Sequence, residues 1–312
     1  MGGELADDYA KLFKVQPEGS VDKDVANELL FILYGLPKAV THNFDRNNRP
    51  FGDIAVYGSA VYAEHVPTAE LSDLYEFNDG TAFSWDNWSQ NHSDPFTDRE
   101  PRFQASVMYN GCKWEGRTIQ TYTGGSDAFD AFTKASTPNG HTCTGYYLRK
   151  YLQENHSDFI TDQSFQYDAV LRYAEVLLNK AEAYAEWDYV QYRDKALGAL
   201  NEVRARVGLP PKTATDKEEF MNLLHRERCV ELAGEGFRYW DLRRWKLAVD
   251  VINGKNVTGV EVTKNTDETF SYKKVDCDGG STRFFYERYY YFSIPASELS
   301  NNNLCEDNPD WN

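Results

Sequence analysis

The sequence has 312 residues, enough for one or two domains with a substantial hydrophobic core. It carries 33 basic and 49 acidic residues, and the resulting net charge of −16 repels phosphate backbones and argues against a general nucleic-acid binder. No apolar run approaches the roughly 20 residues of a membrane-spanning helix, whereas aromatic residues reach 15%, which directs attention to exposed aromatic surfaces.

The first 165 residues are dense in Gly, Asn, Asp, Pro and aromatic residues, a composition typical of loops with short strands. Residues 5–13 place apolar side chains on one face of a short helix. Residues 28–34 form an apolar run typical of a buried strand, and residues 102–109 alternate as a strand would. We therefore predict a loop-rich region, and loops of this length in a compact protein often carry function.

A polar loop over residues 81–91 holds two tryptophans, Trp85 and Trp88, beside Asp86 and two asparagines. A flat indole ring stacks on the apolar face of a pyranose, while neighbouring carboxylate and amide groups reach the sugar hydroxyls. The residues alone favour a plainer interpretation, in which both tryptophans only anchor the loop to the core.

From Asp168 onward the apolar residues recur at helical spacing. Alanines on the facing sides of the first two helices resemble one tetratricopeptide-type unit. Thr215 and Glu218 form a capping box at the start of the third helix, and Gly234 ends it. We predict four helices that pack as consecutive antiparallel pairs, over residues 168–187, 192–208, 216–233 and 237–252.

The segment 226–245 mixes charges of both signs with large aromatic residues, and Glu227 and Glu231 lie one turn apart on the same helix. An active site is one interpretation of this pattern. We favour a structural one, in which Arg–carboxylate pairs lock two helices across a tight glycine-containing corner, because ionic networks at helix junctions are common without chemistry.

Turn signals return after Gly254, and the aromatic segment 281–293 is predicted as a strand. The chain as a whole is predicted to be mainly α (α+β). We divide it into a loop-rich, ligand-facing region over 1–165, a helical scaffold over 166–252, and strands and a tail packed on the scaffold over 253–312.

Metal and redox sites are not indicated by the sequence. The five cysteines form no C-x-x-C pair, and the six histidines show no spacing such as H-E-x-x-H. Asp276-Cys-Asp-Gly279 begins like a calcium-binding loop, but Ser281 stands at the sixth position, where that loop needs Gly. We therefore predict no metal, no cofactor, and at least one free thiol.

Several segments, in the right order, together resemble the SusD/RagB family of nutrient-binding outer-membrane lipoproteins. The match covers most of the chain, although the Asp-Pro-Arg strand entry of the family has an altered spacing here. The segments that carry it are Asp98–Phe103, Arg172–Ala185, Ala199–Gly208, Arg226–Trp245, Ile294–Glu298 with Asn303, and Asn308–Trp311.

The resemblance implies a SusD-like fold with a tetratricopeptide-type scaffold, and binding rather than catalysis. Members of the family sit as lids on a SusC-like, TonB-dependent outer-membrane transporter and capture oligosaccharides or, in some cases, peptides. A surface-exposed lipoprotein is therefore expected, with its lipid anchor outside this sequence. Since family members are longer, the chain looks like a C-terminal portion, and we expect it to be marginal or to aggregate without the N-terminal half.

The resemblance also implies that the ligand site lies among the loops and uses aromatic platforms, without a fixed motif. Two other functions remain open. A glycan-cleaving enzyme lacks a recognisable catalytic constellation here, and a helical-repeat, protein-binding adaptor usually needs three or more repeats where only about one is legible. The predicted ligand-binding residues are Tyr57, Tyr62, Trp85, Asp86, Asn87, Trp88 and Asn91.

Overall fold

The N-terminal part of the chain consists of short elements joined by turns. The structure, a computed structural model, describes residues 3–130, 140–161 and 163–311. The helix predicted over 5–13 is a 3-10 turn, in which Leu12 and Phe13 are buried. The elements that follow are β1 (Leu29–Leu33), α1 (Phe44–Asn48), α2 (Asp53–Tyr57), α3 (Ala69–Ser72), α4 (Pro101–Ser106), β2 (Val107–Met108), β3 (Lys113–Trp114), β4 (Arg117–Thr118) and β5 (Tyr147–Leu148).

Two predictions for this part are wrong in an informative way. Most of the strand predicted over 102–109 is the helix α4, because Pro101 occupies its first turn and its buried side chains fall on one helical face. The strand predicted over 28–34 is present as β1, but Leu30, Phe31 and Leu33 are exposed rather than buried. In the described part of the chain β1 pairs with one strand only, so its other backbone edge stays unpaired.

The helical scaffold follows the predicted order with shifted boundaries. The first five residues of the helix predicted over 168–187 form a strand instead, because their side chains alternate between exposed and buried and they pair with β1. The two helices after it are one element that bends where Asp188 and Tyr192 leave helical geometry. The elements are β6 (Asp168–Arg172), α5 (Tyr173–Arg206), α6 (Lys217–Glu231), α7 (Phe237–Arg244) and α8 (Ala248–Ile252).

The capping box predicted for α6 is displaced by one residue. The Asp216 carboxylate accepts a hydrogen bond from the Glu219 amide at 2.9 Å, and the Glu219 carboxylate accepts one from the Thr215 amide at 2.7 Å. The mechanism of the predicted cap is therefore present, with a carboxylate in place of the hydroxyl group as the N-cap acceptor.

The C-terminal part differs most from its prediction. The helix predicted over 237–252 is two helices, because the chain turns at Lys246, whose φ is +58°. The strand predicted over 281–293 is absent from the described residues: Phe285 and Tyr290 are buried against α7 and α8, and the backbone bends into a 3-10 turn. The other elements here are β7 (Thr258–Lys264), β8 (Phe270–Asp276) and α9 (Ala296–Asn301).

The two largest of five hydrophobic clusters in the described residues hold most of these elements together. One lies between the two arms of α5 and α6 and is rich in alanine and leucine, as a tetratricopeptide-type unit requires. The other joins Trp114 and Phe103 of the loop-rich region to Val230 on α6 and Val260 on β7. The structure is thus a mainly α fold with small two-stranded sheets, and none of its described helices has the length and apolar character to cross a bilayer. The three-region division of the chain stays a prediction.

A backbone crossing fixes the β7–β8 hairpin on the larger core. The Val260 amide donates to the Thr144 carbonyl at 2.8 Å. At this crossing a Cβ atom on Gly145, whose φ is +78°, would lie 2.0 Å from the Val260 oxygen, and one on Gly259 would lie 2.5 Å from the Thr144 oxygen. Only glycine permits this close approach of the two backbones, and the contact fixes the position of the hairpin on the core.

A buried ionic network connects the loop-rich region to the scaffold. The Glu231 carboxylate on α6 accepts hydrogen bonds from Arg102 at 3.0 Å, from Arg172 at 2.6 Å and from Arg206. All four side chains are almost completely buried. Burial would raise the pKa of this carboxyl group, but the three guanidinium groups hold it well below its usual range.

We predict that Glu231→Gln lowers the free energy of unfolding by about 3–5 kcal/mol, because three buried guanidinium groups lose their shared anion. Urea denaturation of the two proteins measures the difference. The matched control is Glu186→Gln, which breaks an exposed pair with Lys217 and should cost less than about 1 kcal/mol. Equal stability losses in both variants would contradict the network's role.

A second prediction concerns alkaline pH. Because the folded state keeps tyrosine protons that the unfolded state loses above about pH 10, the free energy of unfolding should fall as pH rises through that value. Part of the tyrosinate absorbance of the folded protein should appear only as it unfolds, whereas in guanidinium chloride all tyrosines should titrate together. A single transition of the folded protein near pH 10 would refute this. Burial raises the pKa of Tyr9, Tyr57, Tyr75, Tyr109, Tyr146, Tyr147, Tyr151, Tyr167, Tyr189 and Tyr272.

Candidate functional site

The tryptophan loop, residues 78–98, is closed at its base by the backbone. Phe77 and Arg99 form an antiparallel bridge, and the Asn78 amide donates to the Asp98 carbonyl at 2.9 Å. Inside the loop, the Phe83 ring is buried on the Arg99 guanidinium group, whose carbon lies 3.9 Å from the ring centroid. The base of the loop is therefore fixed, and its outer residues are presented on a defined frame.

Trp85 anchors this loop to the core. Its indole N–H donates to the Asp73 carboxylate at 3.0 Å, and its ring packs on Phe83 and Phe96 at centroid distances of 5.1 and 6.2 Å. The side chain is half-buried against the larger hydrophobic core. The packing interpretation thus describes most of what Trp85 does.

Trp88 has a different environment. It begins a 3-10 turn, is half-buried, and meets Tyr272 of β8 edge to face at 6.1 Å. Its indole N–H donates to no described residue. Asp86, Asn87 and Asn91 beside it are exposed, and none of their side chains is engaged by another described residue. Trp88 therefore combines an apolar ring with unused hydrogen-bonding groups at the surface.

The β8 strand completes this site with residues that the sequence analysis did not identify. Tyr272 touches both tryptophan rings, and the Lys274 ammonium group pairs with Asp73 at 2.9 Å. Burial raises the pKa of the Tyr272 hydroxyl. The negative charge of Asp94 and a hydrogen bond with Asp94 raise this pKa further. In the sequence, the alternation of aromatic and polar residues at Phe270, Ser271 and Tyr272 could have indicated a strand. Nothing in the sequence places this strand beside the loop.

The two predicted tyrosines have other contact partners among the described residues than the tryptophans have. The Tyr57 hydroxyl donates to Glu115 at 2.8 Å, and its ring packs on Arg49. Burial, then the bond to Glu115, raises the pKa of Tyr57 to about 12. Tyr62 is 41% exposed, with the Arg46 guanidinium group 5.6 Å from its ring centroid.

A cavity of about 520 Å³ opens beside α1, and the sequence analysis did not anticipate it. The segment that carries Tyr62 runs beside α1, and His65 on that segment bonds to Asn48. The cavity wall combines apolar groups with amides, imidazoles and the Asp168 carboxylate, a mixture suited to a polar ligand. Among its lining residues are Leu33, Tyr34, Val40, His42, Asn47, Asn48, His65 and Gln166.

The charged segment 226–245 forms a structural junction. Arg228 of α6 pairs with Asp241 of α7 at 3.0 Å, across the corner that contains Gly234 and Gly236. This is the kind of Arg–carboxylate lock that the sequence predicts. Within residues 3–130, 140–161 and 163–311, no cluster of three or more His, Cys, Asp or Glu residues is arranged to hold a metal ion.

Comparison with known proteins gives a consistent result. The profile of the SusD family matches residues 27–311 of this chain. A curated relative, SusD-like protein P38 from Formosa agariphila, is 32% identical over 118 residues, a match that covers 35% of this chain and 22% of the relative.

Solved structures also resemble this chain over most of its length. A SusD-like protein from Bacteroides fragilis has 26% sequence identity and a TM-score of 0.75, and the match covers 99% of this chain and 59% of the B. fragilis chain. A SusD-like carbohydrate-binding protein from the same species has 25% identity and a TM-score of 0.74, with coverages of 97% and 58%. The chain thus spans about three-fifths of the length of these structures.

The geometry predicts that the two tryptophans separate in their effect on stability. Trp85→Ala should lower the free energy of unfolding by about 3 kcal/mol, since it removes core contacts and leaves Asp73 without its indole partner. Trp88→Ala should cost less than about 1 kcal/mol, because its ring makes one aromatic contact at the surface. Thermal and urea unfolding of both variants measure this, and equal losses would show that Trp88 is also an anchor.

Proposed function

This chain belongs to the SusD family, and from that premise we propose that it is a cell-surface subunit that binds oligosaccharides without cleaving them. Its partner in this proposal is a SusC-like, TonB-dependent transporter of the outer membrane, and its attachment is that of a surface-exposed lipoprotein. The relative described as a SusD-like carbohydrate-binding protein supports the ligand class. The net charge of −16 is consistent with a partner other than nucleic acid.

The observation that carries the proposal is the surface around Trp88. A half-buried indole ring with an unused N–H group stands beside Asp86, Asn87 and Asn91, whose side chains have no partner among the described residues. Stacking of a pyranose on the ring removes apolar area from water, and the neighbouring amides and carboxylate offer directional hydrogen bonds to its hydroxyls.

The other predicted residues take graded roles in this proposal. Trp85 holds the loop on the core through Asp73, and Tyr272 supports the Trp88 ring from behind. Tyr62 offers a second exposed ring on the segment beside α1, whereas the hydroxyl of Tyr57 is already engaged by Glu115.

We predict that Trp88→Ala weakens oligosaccharide binding by about 1–3 kcal/mol, roughly tenfold to a hundredfold or more, because one stacking surface is lost. Isothermal titration calorimetry with a panel of neutral oligosaccharides measures the affinity. Since a neutral sugar carries no charge that salt could screen, the affinity should change little between low and high salt.

The matched control for this experiment is Trp187→Ala, which removes a 73% exposed tryptophan from the helical scaffold. It should leave the affinity unchanged. Equal affinity of folded Trp88→Ala and wild type for the preferred sugar would place the site elsewhere. Release of shorter sugars during incubation would favour a glycan-cleaving enzyme, and binding of proteins but of no glycan would favour an adaptor.

A further inference from the structure

Two cationic side chains at the C-terminal end of helix α7 stand out in this acidic protein. Arg243 is 8% exposed and faces no carboxylate among the described residues; it donates to the Tyr239 hydroxyl and the Tyr290 carbonyl at 2.8 and 2.7 Å. Arg99 also pairs with no carboxylate among the described residues, but its guanidinium group donates to backbone carbonyls. The buried guanidinium groups that do face a carboxylate are those of Arg49, Arg102, Arg172, Arg204, Arg206 and Arg228.

Lys246 is the second of these cations, and it is exposed. Its ammonium group lies 4.3 Å from the ring centroid of Tyr290 and 4.1 Å from that of Tyr291. It pairs with no carboxylate and donates no hydrogen bond within the described part of the chain. The aromatic rings therefore position the positive charge while all three of its N–H donors remain available.

The backbone at Lys246 makes the residue choice unusual. The Lys246 amide donates to the Arg243 carbonyl, and the Leu247 amide donates to the Leu242 carbonyl at 2.9 Å, which is the Schellman pattern of a helix C-terminus. The residue in the left-handed position of this motif is usually glycine, yet here a lysine holds a φ of +58°. Strain retained at a surface position is a reason to look for a function.

A cleft of about 670 Å³ contains both cations. No acidic residue lines it, and the charge of Arg244 on its wall is already offset by Glu182 and Asp241. Its volume falls in the range of small-molecule sites. The lining residues are Trp240, Arg243, Arg244, Lys246, Tyr290, Tyr291, Phe292 and Asn308.

We propose that this cleft binds the carboxylate or sulfate group of an acidic sugar residue. The Lys246 ammonium group supplies charge-assisted hydrogen bonds to the anion, and Arg243 adds a fixed positive charge behind it. Trp240 and Phe292 are 55% and 58% exposed, so their rings can cover the apolar face of the sugar. A positive cleft in a protein of net charge −16 also disfavours long polyanions, which the surrounding surface repels.

The sugar part of this inference rests on the proposed glycan binding, whereas the anion part rests on the cleft alone. The two sites share no residue, because the Trp88 surface is built from the loop and β8. A variant of one site should therefore leave the other intact, and the failure of one proposal can be told from the failure of the other.

The experiment is calorimetry with three probes of equal length: an oligogalacturonate, a sulfated galacto-oligosaccharide and a neutral galacto-oligosaccharide. Wild type should bind at least one acidic probe about tenfold more tightly than the neutral one, and should lose this preference between about 50 and 500 mM NaCl. The carboxylate and sulfate probes distinguish the two sources of the anion.

The decisive variant is Lys246→Gly, which removes the charge and places glycine where the helix end prefers it. It should keep or raise the melting temperature while acidic-probe affinity falls about tenfold and Trp88-dependent affinity for the neutral probe is unchanged. The matched control is Lys38→Gly, because Lys38 is also exposed, has a φ of +63° and makes no contact with another described side chain. It should leave the affinity for every probe unchanged.

Three results would overturn the inference. One is equal affinity of wild type and Lys246→Gly for the acidic probes, and another is an equal loss of affinity in Lys38→Gly. The third is tighter binding of a single-stranded oligonucleotide than of either acidic sugar, which would identify a general polyanion site. Acidic-probe binding that needs Lys246 would support the inference even if the neutral probe did not bind.

Discussion

The carboxylate of Glu231 joins parts of the chain that are far apart in sequence. It neutralises Arg102 from α4, Arg172 from the end of β6 and Arg206 from the end of α5. Each of these charges would be costly to bury alone, so the elements that carry them can reach the interior only as a group. The short helices of the first 165 residues have little local stability of their own. Their position on the scaffold therefore depends on this shared ion network together with the larger hydrophobic core.

The same arrangement explains where ligands can be met. The network and the cores fix the inner ends of the loops, while Trp88 and its polar neighbours stay at the periphery. Within the charged segment 226–245, Arg228 and Asp241 pair across the corner between α6 and α7, so this part of the segment serves folding. In the proposed function, ligand recognition falls to surfaces that contribute little to stability, so their side chains can suit the ligand rather than the fold.

The sequence predicted the helical scaffold because amphipathic periodicity over long segments has few alternatives, and it located the tryptophan loop from polarity alone. Short segments failed for a specific reason. The residues of α4 alternate in polarity, but a binary pattern counts Arg102 as exposed, whereas its charge is buried beside Glu231. The contact of Lys274 with Asp73 joins residues 201 positions apart, and no local pattern encodes such a pairing. Arg243 belongs to the segment 226–245, for which Arg–carboxylate pairs are predicted, yet its hydrogen-bond partners among the described residues are a hydroxyl and a carbonyl group.

The crossing of Gly145 and Gly259 has a consequence for how this protein diversifies. The backbones of residues 144–145 and 259–260 lie in contact where any side chain would clash. Main-chain geometry therefore fixes the position of the β7–β8 hairpin at this crossing. The exposed residues of β8, such as Ser271 and Lys273, can therefore be exchanged without moving the strand, whereas Tyr272 packs on the larger core. Substitutions at these exposed positions can change the surface of the hairpin while it keeps its place on the core, provided that Gly145 and Gly259 are unchanged.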